Sequence, residues 1–194
     1  MPKVSIIVPN YNYRKYLPQR LQSIFEQTFT DFEVILLDDC STDGSRQYLQ
    51  QLASHPKVSH LILGETNTGN PFVQWEKGIA LAQGEYIWIA ESDDYCEKTF
   101  LQNAVRILDE NPRISFTHCG SILVDQDGKK LERNYDTWPL GKDNGKTYTY
   151  TSHQYLKDFM LYHDETYNAS MTVFRKSKYH LIDKDFTAMH YCGD

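Results

Sequence analysis

Short apolar runs alternate with amphipathic stretches along the first hundred residues of the chain. Apolar, β-branched runs at residues 3–8, 32–37, 58–63 and 85–90 predict four strands. Apolar residues recur at helical spacing after Leu17, Ser45 and Pro71, which predicts three intervening helices. This order is typical of right-handed crossovers in an α/β sheet, so we expect a mostly parallel central sheet flanked by helices.

The pattern changes in the second half of the chain. A further helix is predicted over residues 98–111, and a strand over residues 114–124. Asp125-Gln126-Asp127-Gly128 is a hairpin signal, Ser152 is predicted to cap a helix, and residues 170–174 read as a short strand. The sequence therefore predicts a smaller antiparallel part after the parallel one.

Acidic residues follow two of the predicted strands directly. Asp39 comes after the second strand, and Glu91, Asp93 and Asp94 come after the fourth. The carboxyl ends of parallel strands meet at one edge of the sheet, where Tyr11 also falls. Crowded carboxylates repel one another unless a cation or polar ligand lies between them, which favours a divalent-metal site. A solvated turn or a helix cap is the alternative explanation.

Composition narrows the classes of function. With 194 residues, 40% hydrophobic and 24% charged, the chain fits one soluble globular domain. A net charge of -6 argues against a nucleic-acid partner. The four cysteines form no C-x-x-C pair, which indicates neither a zinc site nor a redox motif. No apolar segment approaches the roughly 20 residues of a membrane span, so we expect a cytoplasmic protein.

Residues 4–12, 27–35 and 38–45, in this order and spacing, resemble family 2 of the inverting glycosyltransferases. The resemblance continues through Asn67-Thr68-Gly69, Gly78, Gly84 and the acidic cluster. It implies a GT-A fold over residues 1–194, with a nucleotide-sugar-binding half (1–112) and an acceptor-side half (113–194). It also implies hexosyl transfer with inversion, in polysaccharide or glycolipid assembly.

The resemblance implies a ligand set as well. The donor would be a nucleotide-diphosphate sugar, with UDP- or dTDP-sugars favoured, and the metal would be Mg²⁺ or Mn²⁺. The acceptor would be a saccharide or a lipid-linked molecule, which leaves open a peripheral position at the inner face of the membrane. The oligomeric state is not specified.

The resemblance also assigns roles to individual residues. Asp39 matches the acid that hydrogen-bonds the base, and Tyr11 the aromatic on which the base lies. Glu91-Ser92-Asp93 matches the family's D-x-D element, with Asp93 as metal ligand and with Glu91 longer by one methylene than the usual Asp. The implied donor-binding residues are Pro9, Tyr11, Asp39, Glu91, Asp93 and Asp94.

Asp194 matches the position of the family's general base. The family usually has Glu before this acid, and this chain has Gly193. Because no closing structural element precedes Asp194, we expect a chain that is truncated at its C-terminus.

Three other classes of nucleotide-binding protein can be compared with the pattern. A dinucleotide oxidoreductase needs G-x-G-x-x-G after the first strand, an NTPase needs a phosphate-binding Lys after its glycines, and a nucleotidyltransferase needs a basic, glycine-rich first loop. The chain has none of these motifs. The alternative that stays open is a catalytically inactive sugar-nucleotide-binding or structural partner module.

Overall fold

Four parallel strands form the larger part of the sheet in a computed structural model, which describes residues 1–131, 146–161, 168–181 and 184–188. They are β1 (Val4–Asn10), β2 (Phe32–Asp38), β3 (Val58–Leu63) and β4 (Tyr86–Ile89). Their order in the sheet is β3-β2-β1-β4. Every residue of β1, β2 and β4 is buried, which explains their nearly continuous apolar sequences.

Side chains of each central strand alternate between two hydrophobic cores, one on each face of the sheet. Ile6 and Val8 of β1 pack with α1 (Leu17–Phe25), α2 (Ser45–Gln51) and α4 (Phe100–Glu110). Ile7 packs on the opposite face with α3 (Pro71–Leu81). These strands and helices confirm the predicted α/β architecture.

Two antiparallel strands extend the sheet beyond β4. They are β5 (Phe116–His118) and β6 (Thr172–Arg175), which complete the order β3-β2-β1-β4-β6-β5. β6 pairs antiparallel with both β4 and β5. The predicted strand over residues 114–124 is wrong in length, because the β5–β6 register ends at His118 opposite Thr172 and a 3₁₀ turn precedes β6. The predicted turn is confirmed, since the amide of Gly128 donates to the carbonyl of Asp125.

The helix predicted to begin with a Ser152 cap is capped one residue earlier. α5 (Ser152–Tyr155) starts at a capping box in which the Thr151 hydroxyl accepts from the amide of Gln154. Thr151 is extended whereas Ser152 is already helical, so Ser152 cannot serve as the cap. A π-helical turn (Leu156–Met160) continues α5 and buries Phe159.

The remaining short elements flank β6 and end the described part of the chain. A 3₁₀ turn (Ala169–Met171) precedes β6, α6 (Lys176–Tyr179) follows it, and a second 3₁₀ turn spans Lys184–Ala188. Within the described ranges, no helix combines the length and the apolar character that a membrane crossing requires. The division into halves at residue 112 stays a prediction.

Candidate functional site

The carboxyl ends of β1, β2 and β4 meet at one edge of the sheet. Asn10 lies beside Asp38 in the β1–β2 register, and Ile7 lies beside Ile89 in the β1–β4 register. The loops that follow therefore start side by side. Of the predicted site residues, this edge carries Pro9, Tyr11, Asp39, Glu91, Asp93 and Asp94, whereas Asp194 lies outside the described residues.

Asp39 is held in one orientation by residues that precede and begin α3. Its Oδ2 accepts hydrogen bonds from the amide (2.9 Å) and hydroxyl (2.8 Å) of Thr68. Its Oδ1 accepts one from Nε2 of Gln74 at 2.6 Å. The alternative role predicted for Asp39 was that of a capping acid. Asp38 has that role instead, because its Oδ1 accepts a hydrogen bond from the amide of Ser41 at 2.9 Å. Asp39 is thus fixed without being used as a cap.

The loop after β1 is tied to the loop after β2. The amide of Asn12 donates to Ser41 Oγ (2.9 Å), and Asn12 Oδ1 accepts from the amide of Thr42 (2.8 Å). Asn12 and Cys40 both have left-handed backbone, with φ of 60° and 67°, a conformation that costs free energy outside glycine. The two loops are therefore held in defined positions, while Tyr11, in the loop after β1, is 46% exposed.

Glu91 is the most perturbed acid of the cluster. Burial, and then the charges of Asp93 and Asp94, raise its pKa to about 7. The indole Nε1 of Trp75 donates to Glu91 Oε1 at 2.8 Å and opposes this shift. The pKa of Asp93 is raised as well, by burial and by the charge of Asp94. Burial, and after it the repulsion between neighbouring carboxylates, therefore opposes ionisation of Glu91 and Asp93.

Two residues join the turn that carries these acids to the loop after β1. Ser92 is buried, and its hydroxyl donates to the carbonyl of Pro9 at 2.7 Å. Tyr13 lies against Asp93, whose charge is the main reason why the pKa of the phenol is raised. The predicted site residue Pro9 thus contributes a backbone oxygen that fixes the acidic turn.

Arg20 is a site residue that the sequence reasoning missed. Its side chain is fully buried on α1, where Nε donates to the carbonyl of Glu91 and Nη2 to Ser170 Oγ, both at 2.6 Å. Nη2 also lies 3.7 Å from Asp94 Oδ2. A polar residue on the apolar face between Leu17 and Leu21 was the available signal. The guanidinium places a positive charge beneath the acidic cluster.

The segment before β6 also reaches the acids. Asn168 Nδ2 donates to Asp94 Oδ2 at 2.5 Å, and Ser170 Oγ accepts from the amide of Glu91 at 2.9 Å. Trp88 Nε1 donates to the carbonyl of Ser170 at 2.8 Å. Residues about 75 positions away in the sequence therefore complete the cluster, which no local pattern could have indicated.

A cavity of about 300 Å³ opens beside the cluster. The mainly apolar residues of its lining are Pro71, Phe72, Trp75 and Ala169. The polar residues of its lining are Glu91, Asp93, Asp94 and Asn168. Its volume lies at the lower end of the range of small-molecule sites, about 300 to 1,000 Å³. The cavity can therefore hold a small polar ligand with an apolar side.

The carboxylates in the lining of the cavity suit a hard divalent cation. Such ions are often held by one or two carboxylates, with water and substrate phosphates completing the shell. Among the described residues, no group of three or more His, Cys, Asp and Glu is arranged to hold a metal by itself. Phosphate oxygens of a bound nucleotide would suit the remaining positions of such a cation.

Comparisons with known proteins show relatives in sequence and in fold. A family model described as Glycosyl transferase family 2 matches residues 5–181. TuaG of Bacillus subtilis, a glycosyltransferase named for teichuronic acid biosynthesis, is 35% identical over 132 residues, which cover 68% of this chain and 52% of TuaG. The poly(ribitol-phosphate) β-N-acetylglucosaminyltransferase TarS of Staphylococcus aureus is 40% identical over 132 residues, which cover 66% of this chain and 22% of TarS.

Two solved structures have a similar fold. TarS 1–349 of S. aureus in complex with UDP-GlcNAc gives a TM-score of 0.61 at 26% identity, covering 90% of this chain and 46% of that chain. The mannosyltransferase PcManGT of Pyrobaculum calidifontis, in complex with GDP-Man and Mn²⁺, gives 0.55 at 29% identity, covering 61% of this chain and 35% of that chain. The chain thus spans about half or less of these relatives.

Proposed function

The chain belongs to glycosyl transferase family 2, and from this premise we propose that it transfers a sugar from a nucleotide-diphosphate donor to an acceptor hydroxyl. The observation that carries the proposal is the convergence of two groups at one sheet edge: the fixed Asp39 beside Tyr11, and the acidic cluster at Glu91, Asp93 and Asp94. The first group suits the nucleobase of the donor, and the second suits its diphosphate and sugar.

We assign binding of the donor's nucleobase to Tyr11 and Asp39. Uracil and thymine offer an imide N–H that a carboxylate accepts, and a π-face that an aromatic ring can cover. The relative bound to UDP-GlcNAc supports a uracil nucleotide. A UDP-sugar is therefore the preferred donor, with a dTDP-sugar as the second choice.

We assign Mg²⁺ or Mn²⁺ to Asp93, with support from the structural relative that holds Mn²⁺. When bound, the cation would offset the negative charge that develops on the departing diphosphate. Glu91 is assigned to the donor and not to the metal, because its side chain is one methylene longer than the Asp of the usual D-x-D element. Asp94 completes the donor site beside Asn168.

Inversion requires a base that takes the proton of the acceptor hydroxyl as that oxygen attacks the sugar. Asp194 keeps this role as a proposal. The names of TuaG and TarS support an acceptor in cell-envelope polymer assembly, either a saccharide or a lipid-linked molecule. A cytoplasmic setting is part of the proposal, since cysteines without a pairing pattern suit a reducing compartment.

Calorimetric titration with UDP, dTDP and GDP, each with and without Mn²⁺, tests the donor site. We expect UDP to bind best, and binding to need both the metal and Asp93. The Asp93→Ala variant should lose this binding, whereas Glu110→Ala, on the exposed end of α4, should keep it. If no nucleotide binds, the transferase proposal loses its basis and the inactive partner module replaces it.

A further inference from the structure

Trp75 lines the cavity beside the acidic cluster, and its indole Nε1 donates a hydrogen bond to Glu91 of that cluster. Its side chain is 9% exposed and packs in the core between α3 and the sheet. Phe72 meets it edge to face, with ring centroids 5.0 Å apart and planes at 86°. The indole is therefore packed in the core and has little freedom to turn. Its Nε1 atom reaches Glu91, so a rigid donor meets a carboxylate at the end of β4.

The hydrogen bond from Trp75 leaves half of the Glu91 carboxylate unused. Oε1 accepts from Trp75 Nε1 at 2.8 Å, whereas Oε2 receives no hydrogen bond within the described part of the chain. Glu91 also lines the cavity, together with Trp75 and Asp93. A carboxylate fixed through one oxygen can accept a further hydrogen bond through the other. The matching ligand group is a hydroxyl or amide N–H of a sugar.

We propose that Trp75 is a positioning residue for recognition of the donor's sugar: its indole N–H orients Glu91 so that the free oxygen accepts a hydrogen bond from a sugar hydroxyl or acetamido N–H. This inference rests on the proposed function, because it needs a sugar nucleotide at this edge. It assigns different parts of the donor to neighbouring acids. Asp93 binds the metal that contacts the diphosphate, while Glu91 accepts a hydrogen bond from the sugar.

This division of roles predicts different effects on the affinity for UDP and on the affinity for a UDP-sugar. Calorimetry on the 194-residue chain with Mn²⁺ compares UDP with UDP-glucose, UDP-galactose and their N-acetylated counterparts. In Trp75→Phe, which keeps an aromatic ring but has no N–H, we expect affinity for the preferred UDP-sugar to fall about tenfold, since a hydrogen bond to a charged group is lost. Affinity for UDP should stay within about twofold, because the proposal gives Glu91 a contact with the sugar and none with UDP.

A double-mutant cycle distinguishes positioning from general loss of packing. Glu91→Gln should weaken binding of the same UDP-sugar, and Trp75→Phe combined with Glu91→Gln should weaken it little further, because both changes act on one contact. Ile79→Val is the matched control. It reduces packing on the same helix without touching the cavity, and should leave the preference for UDP-sugar over UDP unchanged.

Two outcomes would overturn the inference separately from the proposed function. If the wild-type chain binds UDP but Trp75→Phe weakens UDP and UDP-sugar equally, Trp75 supports the fold and does not position a sugar contact. If no sugar in the panel depends on Glu91, the same conclusion holds. A wild-type chain that binds no UDP contradicts the proposed function itself, and the role of Trp75 falls with it.

Discussion

Replacing Glu91 by Gln removes a carboxylate whose ionisation the folded state opposes. Burial is the main cause of its raised pKa, about 7 against a model-peptide value of 4.5. Between these two pH values the folded chain retains the Glu91 proton while the unfolded chain has released it. The free energy of unfolding therefore falls as the pH rises through this window, because Glu91 becomes ionised in the folded chain at a cost. The stabilisation linked to the Glu91 proton is complete only at pH values below the window.

The size of the effect follows from the difference between the two pKa values. A rise from 4.5 to about 7 corresponds to about 3 kcal/mol at 1.36 kcal/mol per pKa unit. Gln has no charge to desolvate, and its amide oxygen can still accept the Trp75 N–H. We therefore expect Glu91→Gln to be more stable than wild type by about 2 to 3 kcal/mol near pH 8, with little difference near pH 4.5.

Urea unfolding at both pH values, with EDTA present, measures this difference. The control is Glu110→Gln, at a position where the side chain is 58% exposed, and it should stay within about 0.5 kcal/mol of wild type. A stability gain from Glu91→Gln that is equal at both pH values would show that ionisation is not its cause. A variant less stable than wild type at the higher pH would show that ionised Glu91 does not destabilise the folded chain.

Three further changes test the support of the site. Gln74→Leu removes the amide that fixes Asp39, and calorimetry should show UDP binding weakened about tenfold; unchanged affinity would contradict this role. Arg20→Met removes a buried guanidinium that donates two hydrogen bonds, and should lower the free energy of unfolding in urea by about 2 kcal/mol. An unchanged free energy of unfolding would contradict the supporting role of Arg20. Gly78→Ala places a Cβ in overlap with Cγ2 of Ile7 and should cost about 1 to 3 kcal/mol; an unchanged melting temperature would argue against the close contact.

Most of the parallel sheet could be predicted because its signals are local. The strands are short apolar runs, the helices have one apolar face, and the acids follow their strands directly in the sequence. The antiparallel part was predicted less well. The length of β5 depends on β6, more than fifty residues later, and a strand is ordered only where a partner satisfies its backbone.

The contacts that shape the site could not be read in the same way. Arg20 stands on the apolar face of α1, so its burial could have been anticipated, but not its partners at Glu91 and Ser170. The acids at the strand ends were identified from the sequence. Which side chains hold them was not, because Asp39 and Gln74 are 35 positions apart and no periodicity connects them.

The close packing of α3 on β1 explains how one helix can serve two strand ends. β1 lies between β2 and β4 in the sheet, and Gly78 lets α3 approach Ile7 of β1 more closely than any side chain would allow. About one turn earlier on the helix, consecutive residues reach opposite sides of β1. Gln74 holds Asp39 after β2, and Trp75 holds Glu91 after β4. The proposed base-binding and sugar-binding acids are therefore oriented by one rigid element, so a shift of α3 would displace both contacts together.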